Sequence, residues 1–416
     1  MRAWPTVGLG DLASFRNGLN YTDANNGAGL AVIGVSDFQD RVVADLTTLS
    51  QLSMSALSTP DALVKKDDIL FVRSNGNRAL IGRSLFVKTE PVVATSHSGF
   101  TIRCRFADAR CEPRFFAYLF RGHLIRQTLS AQGGGTNISN LNQGILSNLQ
   151  VPLPPPFEQR RIADMLSAYD DLIENNTRRI TILEEMARRI FEEWFVHFRA
   201  PGCEGLPLVA SELGPIPKGW TWSRLRDLAD EFRDPADPRT LASGTPYIGL
   251  EHIPRRSSTF VDWGQCADVT SLKLKFRVGD ILFSKIRPYF HKCAVAPIEG
   301  VASSDAIVIR PKTRRVRALV TALTSSDAFV AHSVATSNGT KMPRADWKVL
   351  RDYPVAIPPS LIGDQFETAV WPMIECASRH AAQSRNLRAQ RDLLLPQLIS
   401  GEIDVTEAEA LPQAAE

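Results

Sequence analysis

The sequence predicts an α+β fold: two mixed α/β domains in a pseudo-two-fold arrangement, separated by two long antiparallel coiled-coil-like helices. Three observations predict it. The chain repeats itself, each repeat runs into a proline stop, and a heptad seam follows each stop.

The repeat is read from matched residues in conserved order. Trp4, Leu9, Asp11, Leu12 and Ala13 match Trp220, Leu225, Asp227, Leu228 and Ala229 at an offset of 216. Ile33-Gly34-Val35 matches Ile248-Gly249-Leu250, Asp68-Ile69-Leu70-Phe71 matches Asp280-Ile281-Leu282-Phe283, and Val93-Ala94-Thr95-Ser96 matches Val301-Ala302-Ser303-Ser304. Gly135-Thr136 matches Gly339-Thr340, and by Leu146 and Val151, matched to Leu350 and Val355, the offset has shrunk to 204, as loop deletions would make it. Short β-like runs with Gly, Asn and Ser between them mark each globular part as mixed α/β.

Val151-Pro152-Leu153-Pro154-Pro155-Pro156 and Val355 to Pro359 are where extended backbone gives way to helix. Past the first stop, Ile162, Tyr169, Asn176, Leu183 and Ile190 recur every seven residues, interleaved with Leu166, Ile173, Ile180, Ala187 and Trp194. Past the second, Phe366, Met373, His380, Leu387 and Leu394 interleave with Val370, Ala377, Ser384, Arg391 and Leu398, a seam with polar residues in its middle. The two helices are expected to pack antiparallel through Leu166, Ile173, Asn176, Ile180 and Leu183 on one and Met373, Ala377, Leu387 and Leu394 on the other. Asn176 and His380 or Ser384 would set the register. Pro372 predicts a kink, or a second helix that effectively begins there. A first helix from Phe157 to about His197 would be ~60 Å long.

The resulting division is 1–150 first domain, 151–199 central helix, 200–219 linker, 220–355 second domain, 356–403 C-terminal helix and 404–416 flexible tail. Charge follows it. Residues 1–150 carry 15 basic and 11 acidic side chains and residues 200–355 carry 22 and 16, whereas 151–199 and 356–416 are net acidic. Positive charge is therefore concentrated where the globular parts lie, although the whole chain is only +3. No charged-then-apolar leader opens the sequence and no apolar run approaches a membrane span, so a cytoplasmic protein is expected. Six scattered cysteines without a CxxC pair are expected to be reduced and structural.

Three catalytic look-alikes fail on their own chemistry. Gly8-Leu9-Gly10-Asp11-Leu12-Ala13 has no strand before it, and reads as a turn into a short helix. Gly76 to Ser84 has the wrong glycine spacing and Arg83 where a phosphate loop needs Lys. Pro154-Pro155-Pro156-Phe157 lacks the amino-group acceptor that precedes the prolines of an adenine methyltransferase. Paired carboxylates such as Glu184-Glu185, with Arg188-Arg189 nearby, read as a solvated helix face. No catalytic residue, no metal ligand and no bound cofactor is expected.

What each globular part does carry, after its matched strand, is a run of long donors. In the first these are Arg73, Asn75, Asn77, Arg78 and Arg83; in the second Lys285, Arg287, Tyr289, His291 and Lys292. Arg and Asn can hold guanine and adenine edges through paired hydrogen bonds, and Lys and backbone amides can hold phosphates. A second candidate surface is Gly133 to Asn137, with Thr136 and Asn137, and its counterpart Asn338 to Lys341 with Thr340, Lys341 and nearby Arg344. Like frameworks bearing unlike donors suit two readers of two different DNA sequences.

Val151 to Gln159, Leu183-Glu184-Glu185-Met186-Ala187 running to Trp194-Phe195-Val196-His197-Phe198, Gly214 to Trp220, and Leu393 to Ile403 together resemble the specificity subunit of type I restriction-modification systems, over nearly the full chain. The resemblance implies two target-recognition domains, each reading one half of a split double-stranded DNA site, with the helices as a ruler between them. It implies as partners two adenine methyltransferase subunits docked on the helices and an ATP-dependent restriction/translocase subunit. S-adenosylmethionine, ATP and Mg would belong to those partners, and no membrane is involved. Two other readings use the same residues: a coiled-coil scaffold whose globular parts bind protein, and a nuclease acting alone.

Overall fold

The computed structural model describes residues 4–38, 41–132, 140–339 and 341–405. The chain forms two compact units: residues 1–170 with 389–416, and residues 171–388. The long helices α1 (Pro156–Phe191) and α2 (Ser360–Ile399) each contribute to both.

In the first unit, Ala13–Asn17, Thr101–Phe106, Ile69–Val72 and Ser84–Phe86 form a four-stranded antiparallel sheet in that order. A second sheet orders Ser50–Ser53, Gly29–Ile33 and Thr95–His97, the last two parallel. A ribbon of Thr6–Gly8 with Gln150–Pro152 ties the start of the domain to the approach to α1. Ile69–Val72 shows why a run of four apolar residues is needed: every one is buried, and successive side chains face opposite ways. Ile69 and Phe71 enter a core with Phe115, Phe116, Phe120, Ile162 and Leu166, while Leu70 and Val72 enter a core with Ile33, Phe38, Val64 and Leu85.

The second unit repeats the plan. Ala229–Glu231, Ala306–Pro311, Ile281–Ser284 and Cys293–Val295 form the antiparallel sheet in the equivalent order, and Pro246–Ile248 runs parallel to Gly300–Ala302 in the other. Ile281 and Phe283 face one core and Leu282 the other. The closing ribbon is Thr221–Arg224 with Pro354–Ile357.

One buried ion pair occurs in both units with the same geometry. Asp68 Oδ1 accepts from Arg105 Nε at 2.7 Å, and its Oδ2 accepts from Arg105 Nη2 at 2.6 Å and from Lys65 N at 2.8 Å. Asp280 does the same with Arg310 Nε and Nη2, both at 2.7 Å, and with Arg277 N at 2.9 Å. Both carboxylates are fully enclosed. The turn that delivers them needs a left-handed residue, supplied by Asp67 (φ 71°) in one unit and Gly279 (φ 85°) in the other. Each carboxylate thus fastens the start of the central strand to its neighbour.

The heptad seam is realised. Ile162, Leu166, Ile173, Asn176, Ile180 and Ala187 are buried along α1, and Phe366, Val370, Ala377, Ser384, Arg391 and Leu398 along α2. In the second unit Ile180 and Leu183 pack with Ala377 and Ala381, and further along α1 Phe191 meets Phe366, ring centroids 6.5 Å apart, so the segments run antiparallel. In the first unit Leu166 shares a core with Leu394, Leu395 and Leu398. Met373 packs on the second unit's core and Leu387 is half-buried. Polar seam residues are accommodated locally: Arg391 pairs with Asp170 and Asp392, and Asp170 also accepts from Tyr118 Oη at 2.7 Å. Of the two expected register residues on α2, Ser384 is buried and His380 is not, its ring instead meeting Gln383 at 3.3 Å.

Three expectations need correction. α2 does not begin near Pro372; it is helical from Ser360 through it. Pro372 and Thr368, whose carbonyl loses its i+4 donor, both lie on the exposed face, so water can satisfy the freed oxygen. The linker is not an open connector: Leu208–Val209 pairs with Ile216–Pro217, and Ala200, Cys203 and Ile216 join the second unit's core. At the other end Val405 is buried and its carbonyl accepts from Arg161 Nη1 at 2.7 Å, so ordered packing reaches residue 405, inside the tail expected from 404 to 416; residues 406–416 lie outside the described residues.

Asp280→Ala leaves the Arg310 guanidinium without its carboxylate and is expected to cost about 3 kcal/mol, in the range for one partner removed from a buried pair. Hydrogen exchange checks it: amides of Ile281–Ser284 should lose protection while those of Ile69–Val72 keep theirs.

Candidate nucleic-acid interface

The donor run of the first unit leaves the central strand at Arg73. Arg73 N donates to Phe100 O at 2.8 Å and Arg73 O accepts from Leu141 N at 2.9 Å, so the turn at Phe100 and the segment at Leu141 converge on this one residue. In the second unit Lys285 N donates to Asp305 O at 2.9 Å and Lys285 O accepts from Ala345 N at 2.9 Å. The duplication therefore extends to single backbone bonds, and it brings each donor run beside a later loop.

Asn75 Oδ1 accepts from Asn77 N at 2.8 Å and Asn77 Oδ1 from Ala79 N at 3.0 Å. These consecutive side-chain turns shape the loop through the amide oxygens, and the amide NH2 groups add two donor groups to it. Arg73 Nη1 lies 3.4 Å from Gly99 O. Arg126, which the sequence reading did not single out, donates to Ala79 O at 2.8 Å. Burial and then the charge of Arg83 pull its pKa down. Two guanidiniums held close repel, and an anion between them offsets the repulsion. The side chain of Arg78, and Gly133 to Asn137 with Thr136 and Asn137, lie outside the described residues, as does Thr340.

The turn Ser98-Gly99-Phe100-Thr101 beside Arg73 is stiff. Thr101 Oγ1 donates to Ser98 O at 2.8 Å, so its other contact, His97 Nδ1 at 2.9 Å, must be the donor in that pair. A Cβ at Gly18 would lie 2.2 Å from Ser98 O. His97 is enclosed, and burial, then Arg103, Arg16 and Arg105, hold its pKa down to about 3.

In the second unit the two predicted surfaces adjoin: Ile286 bridges to Arg344, and Arg287 N donates to Pro343 O at 2.8 Å. Arg287 (φ 48°) and His291 (φ 53°) flank the turn Pro288–Phe290, and Arg256 (φ 54°) donates its N–H to His291 O at 2.9 Å. Three non-glycine residues in left-handed conformation at one turn are a local concentration of strain, held by the surrounding bonds. The turn presents Tyr289 to solvent and stacks Phe290 under Arg255, whose guanidinium carbon is 4.2 Å from the ring centroid. Lys341 and Arg344 are exposed, with Arg344 Nη1 3.7 Å from Asp305. Lys285 Nζ rests on Ser304 O at 2.9 Å. Lys292 donates to Leu250 O, and burial and then Arg255 lower its pKa.

His291 is not a surface donor. It is buried, with Nε2 2.7 Å from Ser325 O and Nδ1 3.4 Å from Asp327. It lines a cavity of about 650 Å³ together with Glu184, Arg256, Ser257 and Thr321. Nor is Glu184 part of a solvated face: its Oε1 accepts from Ser257 Oγ at 2.8 Å, Ser258 N at 2.9 Å and Thr259 Oγ1 at 2.7 Å, clamping α1 to the segment that leads from Arg256. Glu185 does match its expectation, pairing with Arg188 and Arg189. All six cysteines are free thiols. Among the described residues, no group of His, Cys, Asp and Glu could hold a metal ion, and no helix is long and apolar enough to cross a membrane.

A family model described as the type I restriction modification DNA specificity domain matches residues 1–185. The type I restriction enzyme MjaIX specificity subunit of Methanocaldococcus jannaschii is 28% identical over 308 residues, 70% of this chain and 69% of that protein. The EcoDI specificity subunit of Escherichia coli is 26% identical over 270 residues, 59% of each. Residues 1–185 are thus similar to the type I DNA specificity domain, and these relatives that align with the chain are named type I specificity subunits. Its fold matches the crystal structure of the type I restriction-modification S subunit from M. genitalium with a TM-score of 0.57, covering 95% of this chain and 96% of that one at 13% identity. The relatives are named as specificity subunits, and no catalytic family is indicated for this one.

Missed by sequence reading were Arg126, Arg255 and Phe100. Arg255-Arg256 was legible as a doublet in a basic segment, and Gly99-Phe100 as an aromatic after a turn glycine. Nothing in the sequence placed either beside the donor runs.

Two predictions follow from this geometry. Arg287→Gly removes a left-handed arginine whose Nε is enclosed without a partner, so the thermal midpoint should stay level or rise, while DNA affinity of the assembled complex falls. Below the ordinary histidine pKa of 6.5 the unfolded chain takes up a proton that folded His97 refuses, so its contribution is intact above about pH 6.5 and is lost as pH falls toward 3. The slope is about 1.4 kcal/mol per pH unit. In urea titrations, His97→Asn should lose less stability than the parent between pH 6.5 and 4.

Proposed function

We propose that this chain is a type I specificity subunit that reads a bipartite double-stranded DNA site, one half with each globular unit. The observation that carries the reading is one framework bearing two donor sets: Arg73 and Lys285 make identical backbone bonds, yet Arg73, Asn75, Asn77 and Arg83 follow in one unit and Arg287, Tyr289, Lys341 and Arg344 serve the other. Arginine forks and asparagine amides suit base edges in the major groove, while lysines and the Arg83–Arg126 pair suit phosphates.

The helices take two roles in this reading. At ~1.5 Å per residue α1 is about 54 Å long and α2 about 60 Å, enough to set half-sites about one DNA turn, ~34–36 Å, apart. Exposed Leu172, Ile182 and Met186 on α1, and Leu361 and Leu393 on α2, are apolar surface suited to docking two adenine methyltransferase subunits. An ATP-dependent restriction/translocase subunit would complete the complex. S-adenosylmethionine, ATP and Mg would be bound by those partners, and this chain contributes recognition.

Methylation-sensitive sequencing of a host expressing the chain with its methyltransferase should show a two-part adenine-methylated motif. Exchanging residues 1–150 for those of a relative should change one half and leave the other; an unchanged motif overturns the reading. Binding by the complex should also fall steeply with salt, since phosphate contacts release counterions.

A further inference from the structure

We propose that Phe100 is a base-reading residue of the first unit, its ring contacting the methyl group of a thymine in the half-site read by residues 1–150. The inference rests on the DNA-reading function above and adds a contact that the polar donor runs cannot make.

Phe100 is 63% exposed, whereas Phe71, Phe115, Phe116 and Phe120 of the same unit are fully buried. Its position is fixed all the same. The Phe100 carbonyl accepts from Arg73 N at 2.8 Å and from Ser74 N at 3.4 Å, which places the residue directly beside the donor run. Gly99 N donates to Leu19 O at 2.7 Å, and a Cβ at Gly99 would lie 2.1 Å from Asn20 Oδ1. Behind the turn, His97 and Thr101 brace it through the chain of bonds to Ser98 O. A stiff backbone holding an aromatic ring in water loses little entropy when the ring finds a partner.

The ring has no donor or acceptor, so it cannot read the hydrogen-bond pattern of a base edge. The apolar feature that the major groove displays is the 5-methyl group of thymine. The second unit supports the assignment by contrast. At the framework position of Phe100 it carries Asp305, whose carbonyl accepts the matching bond from Lys285 and whose carboxylate lies 3.7 Å from Arg344. One position therefore presents an apolar head in one unit and an anionic one in the other, as two different half-sites require.

The test uses the subunit assembled with its methyltransferase and duplexes carrying its methylated motif, with each thymine of the two halves replaced in turn by deoxyuridine, which lacks only the methyl group. One replacement in the half read by residues 1–150 should weaken binding by the parent complex about fourfold, the worth of one buried methyl group. Phe100→Ala should bind both duplexes equally, Phe100→Leu should still discriminate, and neither should shift the thermal midpoint. A parent complex that tolerates every deoxyuridine in that half overturns the inference without needing any variant. So does a Phe100→Ala complex that discriminates as the parent does. A parent complex unable to tell its motif from unrelated duplex would instead overturn the DNA-reading function on which the inference rests.

Discussion

The bidentate pair of a buried aspartate with an arginine, Asp68 with Arg105 and Asp280 with Arg310, is the constraint on which each globular unit depends. An enclosed carboxylate is costly unless it is paired and hydrogen-bonded, and here both oxygens accept from the guanidinium and one also from a backbone amide. That arrangement tolerates only one register between Ile69–Val72 and Thr101–Phe106, or between Ile281–Ser284 and Ala306–Pro311. Because the donor run starts at the far end of the same strand, the register also decides where Arg73 and Lys285 emerge.

From that fixed point the surface is free to vary. The bonds at Arg73 and Lys285 use backbone atoms, which every side chain shares, so the loops can carry Asn75 and Asn77 in one unit and Tyr289 in the other without disturbing the sheet. Stiffness comes from different devices: consecutive asparagine turns and tight glycine contacts in the first unit, left-handed Arg256, Arg287 and His291 in the second. The strain at the latter is affordable only beside a well-packed core.

The helices meet their polar seam residues in the same economical way. Arg391 enters the seam of the first unit because Asp170 and Asp392 neutralise it, and small Ala377 and Ala381 let α2 come close to Ile180 in the second. Glu184 reaches out of α1 to grip Ser257 to Thr259, so a residue that looks like surface charge in sequence is a structural fastener.

The sequence by itself determined the duplication, the α+β class, the two long helices and their seam, because each rests on periodicity or on residues near one another in the chain. It also named the strand after which donors emerge. Tertiary structure alone decided the partners of those residues. Arg105 is 37 positions from Asp68, and Phe100 reaches Arg73 only through the turn between two strands, so neither contact leaves a local pattern. The same reason separates His291, which folds inward to Ser325, from Tyr289 two residues earlier, which stays outside: donors of one run look alike in sequence, and only packing selects which face water. Pro372 makes the point in reverse, since a residue that breaks helices by local rule is carried within α2 on its exposed face, where the freed carbonyl has water.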